Sequence, residues 1–345
     1  MKHQLQATAL ALIFSATVLG GCNNTEKTTI IPAGGGSGAD YNAGDATFMN
    51  ADGVGFIMIY VPAKSFKTGV TDTGTATISK PFRIGETEVT YELWSKVYTW
   101  AIVNSYYFAN GGTMGDGAGD TPQHPVTTIN WRSAMVWTNA ATEWYNTFNG
   151  TSYTCAYYSD ANYTTPIRDS RDGSYGASLN PDNGGFDNPY IKAASAGNLD
   201  MANCTATGFR LLTSKEWELA ARYISDANSD GDISDPGEYY PGAYASGAVA
   251  GYNSPTATQA VAWYIDNSGG CHAAKQRAAN ALGLYDMSGN AIEWCFDPLY
   301  GGAYRAWING GYGSNILSMA VGGGTVAEDP FYENNLIGFR LGMTK

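Results

Sequence analysis

Between Ala134 and Phe148 the chain repeats apolar side chains at helical spacing. Ala134, Trp137, Ala141, Trp144 and Phe148 fall on one stripe, and Gly150 follows. Such a run buries its indoles as one face of an amphipathic helix, and a glycine supplies the left-handed residue on which helices end. The tryptophans of this stripe are read as core, not as ligand-stacking groups. Two further helical signals flank it. Thr90 precedes Leu93, Val97, Trp100 and Ala101, which predicts a capped helix over Tyr91 to about Val103. The segment TSKE from Thr213 to Glu216 is a capping box that places Trp217, Ala220 and Ala221 against the core. Elsewhere the pattern shortens. Phe56 to Val61 is a compact apolar run ahead of Pro62 and reads as a strand, and from Tyr252 onward short strands and turns are punctuated by Gly-Gly pairs at Gly269, Gly301 and Gly310. Pattern alone predicts a mixed α+β domain.

The N-terminus has a different character. Lys2 gives a charged start, Ala7 to Leu19 an apolar run, and LGGC (Leu19 to Cys22) small residues before a cysteine. This predicts a bacterial lipoprotein signal over residues 1–21 and lipidation at Cys22; the apolar run is too short to cross a bilayer as a helix. Residues 22–45, rich in Thr, Gly, Asn and Ala, read as a flexible tether, which leaves 46–345 as one large domain. The expected location is a bacterial outer membrane or cell surface, with acyl chains as the membrane anchor. With 19 Lys and Arg against 31 Asp and Glu, and a net charge of −12, the chain lacks the basic footprint that nucleic-acid binding requires.

Beyond Cys22 the cysteines are Cys155, Cys204, Cys271 and Cys295. If all pair, three connectivities exist. An exported chain permits disulfides, and Cys155 with Cys204 would bracket the polar stretch Ser159 to Asn203, read as a surface insertion without a core of its own. A buried free thiol is the alternative for Cys295, which lies between Trp294 and Phe296. No Cys/His spacing suggests zinc.

Five blocks together carry a likeness to a known family: GETEVTYELW (Gly85 to Trp94), HPVTTINWRSAM (His124 to Met135), GFRLLTSKEWELAAR (Gly208 to Arg222), NALGLYDMSGNAIEWCFD (Asn280 to Asp297) and the closing GFRL (Gly338 to Leu341). They resemble the formylglycine-generating-enzyme or sulfatase-modifying-factor family, a branch of the C-type-lectin-like fold. The resemblance implies two main helices packed on small, twisted antiparallel sheets with much irregular structure. It also implies a structural calcium ion in DMSGNAIE, held by the Asp286 and Glu293 side chains and the Gly289 and Ala291 carbonyls. Two acids bracketing a tight turn without another evident partner favour the metal, since calcium accepts several hard oxygen donors. A second candidate is Asp226 to Glu238, where Asp226, Asn228 and Asp230 alternate before Gly231, Asp232 and Ile233. This opens like an EF-hand loop, but the twelfth position is Gly237 and Glu238 comes one later, so a solvated acidic loop is an equal reading.

Catalysis is where the likeness stops. Formylglycine generation depends on a copper-binding cysteine pair shortly before the final GFRL, and Ala306 to Phe339 contains neither cysteine nor histidine. The iron-dependent relatives use histidine-rich motifs; His124 and His272 stand far apart and read as core or surface residues. A non-enzyme is therefore expected. The segment from Arg305 to Leu341 has no Lys or Arg between Arg305 and Arg340. In this it resembles the variable proteins of diversity-generating retroelements, such as the treponemal variable protein, in which template adenines are rewritten and asparagine codons become other residues. The resemblance marks Asn309, Tyr312, Ser314, Asn315, Ile316, Leu317, Ser318, Thr325, Val326, Asp329, Phe331, Tyr332, Glu333, Asn334 and Asn335 as variable, within about 305–341. Aromatic and small polar side chains on a rigid frame suit recognition of a protein or other macromolecule. The alternatives are a glycine-rich sheet edge with Ile316, Leu317 and Phe331 in the core, and an exported formylglycine-generating-like enzyme or maturation factor with a diverged active site.

Overall fold

The computed structural model describes residues 31–32, 41–115, 119–171, 188–300 and 303–345. The signal, Cys22, most of the tether, the centre of the polar insertion and the Gly301 pair lie outside the described residues.

All three expected helices form. Helix α1 spans Tyr91–Val103, with the Thr90 hydroxyl accepting from the Leu93 amide at 3.3 Å. Helix α2 spans Trp131–Asn149 and ends on Gly150 at φ 63°, where a residue with a Cβ would be strained. Helix α3 spans Ser214–Arg222 and carries the complete capping box, satisfying amide groups that a helix start otherwise leaves unpaired. A fourth short helix, Pro255–Gln259, falls where strands and turns are expected; the first strand after Tyr252 is Ile292–Leu299.

Helix α2 is buried beyond its tryptophan stripe. Arg132, Ser133, Thr138, Asn139 and Thr142 are buried as well, and each finds a partner. Asn139 donates to the Tyr157 and Ile167 carbonyls at 2.8 and 3.1 Å, and the Thr142 hydroxyl accepts from the Phe209 amide at 2.9 Å. A buried polar group is tolerated when it is so paired. Phe148, at the end of the stripe, is exposed.

Two main sheets clasp these helices. One has six strands in the order Ile31–Pro32, Ala46–Ala51, Val54–Val61, Phe82–Gly85, Leu341–Thr344 and Phe209–Leu211. The other orders Thr325–Glu328, Tyr304–Ile308, Ile292–Leu299 and Ile337–Phe339. Pairing is antiparallel except between the first two strands of the six and between Ile292–Leu299 and Ile337–Phe339. The chain's end therefore closes both sheets. Phe339 sits edge-on to Trp94 and Trp137, at 6.0 and 5.5 Å, while those two rings stack at 5.4 Å. Each such ring contributes about 1.5–3 kcal/mol or more by burial.

Two expectations are corrected. The described parts of the polar insertion do join the core: Ile167, Ile191 and Met201 belong to the main apolar cluster, beside a two-stranded antiparallel pair of Tyr157–Tyr158 with Tyr190–Ile191. The four described cysteines form no disulfide. All four are buried, and burial raises the Cys155 and Cys295 thiols above their ordinary range, which keeps them protonated and unreactive.

Candidate functional site

The strand Tyr304–Ile308 lies between Ile292–Leu299 and Thr325–Glu328, with Trp294 opposite Trp307 and Trp307 opposite Val326. Directly opposed residues share a face. A row therefore runs outward from the core: Trp294 is buried, Trp307 half-buried and Val326 exposed. The two indoles lie 5.9 Å apart, and Tyr332 meets Trp307 edge-on at 6.0 Å. Trp307 is absent from the residues picked out by sequence; only the cross-strand register reveals it. At the start of the segment Arg305 is buried, its guanidinium 4.0 Å over the Trp131 ring and bonded to the Asn188 side chain at 2.9 Å.

None of the residues marked as variable is buried. Leu317, Val326, Phe331 and Tyr332 are 57%, 53%, 39% and 39% exposed. Asn315, Thr325, Asp329, Glu333 and Asn335 are also exposed, and Asn309, Tyr312, Ser314, Ile316, Ser318 and Asn334 are partly so. Between them Met319, Ala320, Val321 and Pro330 are buried, as is Ile337 just beyond. The face is thus carried by a buried thread of the same segment. Leu317 and Phe331 are not core, as the alternative would have them, whereas Ile316 packs partly against a small cluster that includes Tyr264 and Met319. An open cleft of about 370 Å³ adjoins, lined in part by Asn309, Asn315, Leu317, Ser318 and Val326.

Several of these polar side chains also fix the loops. The Asn315 side chain accepts from the Leu317 amide at 3.0 Å, Asp329 from the Phe331 amide at 2.8 Å, and Asn334 from the Leu336 amide at 2.9 Å. Asn335 donates to the Tyr312 hydroxyl at 3.1 Å. The Phe331 ring lies 4.9 Å under the Arg132 guanidinium, and Glu333 accepts from Asn110. Asn309 is tied on both sides to Gly289, donating to its carbonyl and accepting from its amide at 3.3 Å. Gly289 itself has φ 84°, and a Cβ there would lie 2.2 Å from the Trp263 carbonyl. Asn309 is thereby a brace more than a displayed residue.

The expected calcium turn has a different arrangement. Glu293 is fully enclosed; Arg340 donates to both its oxygens at 2.9–3.2 Å, and the Trp217 indole donates to Oε2 at 2.9 Å. Arg340 also holds the Gly85 and Tyr285 carbonyls and stands 3.9 Å from Glu88. Asp286 accepts from the Lys275 amide at 3.0 Å. Ala291 donates its amide to Glu88 at 3.4 Å, and the Gly289 carbonyl is occupied by Asn309. The premise that the two acids lack partners is therefore corrected: a guanidinium from the closing GFRL supplies the cation, and Glu88 joins the cluster from far upstream. Among the four expected ligands, Asp286 alone keeps a buried side-chain oxygen, Oδ1, without a hydrogen bond. Oε2 of Glu88, in the same cluster, is likewise buried without a hydrogen bond. Crowding of carboxylates around one arginine raises the proton affinity of Glu88 and Asp286. Burial first, then the Asp286 charge, pushes the Glu88 carboxyl well above its usual range, and burial pushes Asp286 up to about 6.

Asp226, Asn228, Asp230 and Asp232 lie together on a loop away from this cluster. His124 is buried with its Nε2 3.4 Å from Asp120, and His272 stacks on Trp263 at 3.7 Å. Among the described residues no helix is long and apolar enough to cross a membrane.

Comparison with known proteins agrees with this architecture. Among solved structures, Treponema denticola variable protein 1 superposes with a TM-score of 0.58 at 25% identity, covering 87% of this chain and 99% of that one. CarF superposes with a TM-score of 0.58 at 23% identity over 84% of this chain and 98% of its own. PvdO from Pseudomonas aeruginosa gives 0.51 at 16% identity, over 89% and 100%; the last two likenesses concern the fold. A protein named chaperone protein LppX, from Paenibacillus barcinonensis, is 27% identical over 261 residues, 70% of this chain and 71% of that protein. The model of the sulfatase-modifying factor enzyme 1-like domain matches residues 46–344, and the chain, with its C-type-lectin-like α+β fold, belongs to that family.

Proposed function

We propose that this protein is a lipid-anchored, surface-displayed binding protein whose scaffold presents an exchangeable C-terminal face to a protein or other macromolecular ligand, and that it catalyses no reaction. The observation that carries the reading is the alternation within 309–335, where every residue marked as variable is at least partly exposed and buried residues lie between them. Exposed Tyr, Phe and Leu beside Asn, Ser and Thr combine contact area with adaptable hydrogen bonds. Likeness to a treponemal variable protein over most of both chains supports it. The LGGC sequence supports anchoring at Cys22, with residues 1–21 as the signal and 22–45 as the tether.

The test is to sequence the locus from many isolates. Differences confined to codons after Arg305, falling at adenines of a nearby template repeat beside a reverse-transcriptase gene, are the expected result. An invariant segment across isolates would overturn the reading. The second reading, an exported enzyme or maturation factor with a diverged site, rests on family membership and on the cleft beside Asn309 and Asn315. An invariant segment next to a sulfatase-like gene would favour it.

A further inference from the structure

The acidic loop Asp226 to Glu238 plays no part in the recognition face, yet its ends are held together. Tyr223 bridges Tyr239, and the Ile224 and Ser225 amides both donate to the Glu238 carbonyl, at 2.9 and 3.1 Å. A turn with Gly237 at φ 94° returns the chain, the Glu238 amide donating to the Asp235 carbonyl at 3.1 Å. The one-residue offset that separates Glu238 from the closing position of an EF-hand is thereby absorbed. Its Oε1 accepts from the Ala227 amide at 2.6 Å, so the carboxylate stands at the first residues of the loop.

Two oxygens there have no protein partner. Glu238 is 5% exposed, and its Oε2 is buried without a hydrogen bond; so is Oδ1 of Asp226, whose other oxygen is held by the Lys64 ammonium. Buried carboxylate oxygens left unpaired are costly, and beside Asp226 only the Lys64 ammonium and the Gly231 and Asp230 amides lower its proton affinity. The rest of the loop is built to stay in place. Ile233 is fully buried and its amide donates to the Ser65 carbonyl at 3.0 Å, while the Ser65 amide donates to the Gly231 carbonyl at 3.1 Å. Exposed Asn228 and Asp230 lie between the two unpaired oxygens in the chain.

We propose that this loop binds one calcium ion, with Asp226, Asn228, Asp230 and Glu238 as its side-chain ligands and Lys64 as the resident cation that calcium displaces. As folded, no three His, Cys, Asp or Glu side chains among the described residues already converge on one point. Binding therefore draws the loop inward, releases Lys64 from Asp226, and frees Asp230 from the Asn228 amide that now bonds it at 2.9 Å. That rearrangement opposes binding and sets the affinity in the weak range of extracellular calcium modules, Kd about 10⁻⁴–10⁻³ M. A structural ion at this position would stiffen the connection between α3 and the segment after Tyr239.

The test is calorimetric titration of the chelator-treated protein with calcium chloride and, in parallel, magnesium chloride, with thermal melting as a second readout. Calcium is expected to bind with one-to-one stoichiometry and to raise Tm, and magnesium to bind more weakly. Asp230→Asn, at an exposed position where folding is not at stake, and Glu238→Gln should each weaken calcium on the order of tenfold or more. Lys64→Met should tighten it, because the competing ammonium is gone. The absence of a calcium response in the wild type, an equal response to magnesium, or Asp230→Asn titrating like the wild type would each overturn the proposal.

Discussion

Replacing Arg340 by Met removes the cation that, among the described residues, is paired with Glu293. The side chain is fully buried and its guanidinium makes three contacts to Glu293 and one each to the carbonyls of Gly85 and Tyr285. Methionine of similar length keeps much of the packing and none of the charge. Breaking a buried pair from one side costs about 3–5 kcal/mol, which for a domain of this size lowers Tm on the order of 10 °C. The pH dependence identifies the cause. Glu88 and Asp286 already have folded-state proton affinities raised by burial, and loss of the guanidinium raises them further. A carboxyl whose folded pKa lies above its unfolded value contributes stability that is present below the unfolded pKa and lost as pH rises through the folded one. The deficit of Arg340→Met should therefore be small near pH 4 and reach its full size above about pH 7. Urea denaturation at both values measures it. A deficit of equal size at the two pH values would refute the electrostatic account and assign Arg340 to packing alone.

Exchanging Tyr312, Phe331 and Tyr332 together for Ser should abolish capture of a ligand while changing stability by roughly 2 kcal/mol or less, as expected of surface residues with few partners; a loss of about 5 kcal/mol or more in thermal melts would mean that they are core. Thr213→Ala, which removes the capping hydroxyl of α3, should cost about 1 kcal/mol by chemical denaturation. Asp286, at φ 55°, has a conformation that asparagine also adopts readily. With its folded pKa near 6, Asp286→Asn should stabilise the protein on the order of 2 kcal/mol at pH 8 and little at pH 4. A variant less stable than wild type at pH 8, and a wild type whose Tm falls on adding chelator in proportion, would restore calcium to that turn.

What the sequence made legible is local. The Thr90 cap, the tryptophan stripe ending at Gly150 and the TSKE box specify helices through residues three or four apart, and all three helices form, α1 over the expected span, α2 ending at Gly150 but starting three residues before Ala134, and α3 from the Thr213 cap. Exposure of the residues marked as variable was legible through likeness, not through periodicity, because 309–335 lacks a regular repeat. Pairings across long separations were not legible. Glu88 meets Arg340 and Trp217 meets Glu293 only once both sheets are closed, so the turn at Asp286 reads as a metal site when its acids are considered alone. Ile167, Ile191 and Met201 are too few and too scattered to show a period, yet each belongs to the main apolar cluster. Trp307 escaped notice because its exposure depends on register with Val326. The Glu238 offset likewise closes through a backbone ladder rather than through spacing.

Arg305 and Arg340, both inaccessible to solvent, bracket the segment that the proposed function makes exchangeable. The first is gripped by Trp131 and Asn188, the second by Glu293 and the Gly85 carbonyl. Ring-closure entropy depends on where the ends of a loop are fixed and on its length, and only weakly on the side chains between them. A cassette moored at both termini, rewritten as proposed, would present the fold with the same boundary conditions each time, although loop-fixing residues such as Asn309, Asn315 and Asp329 lie inside it.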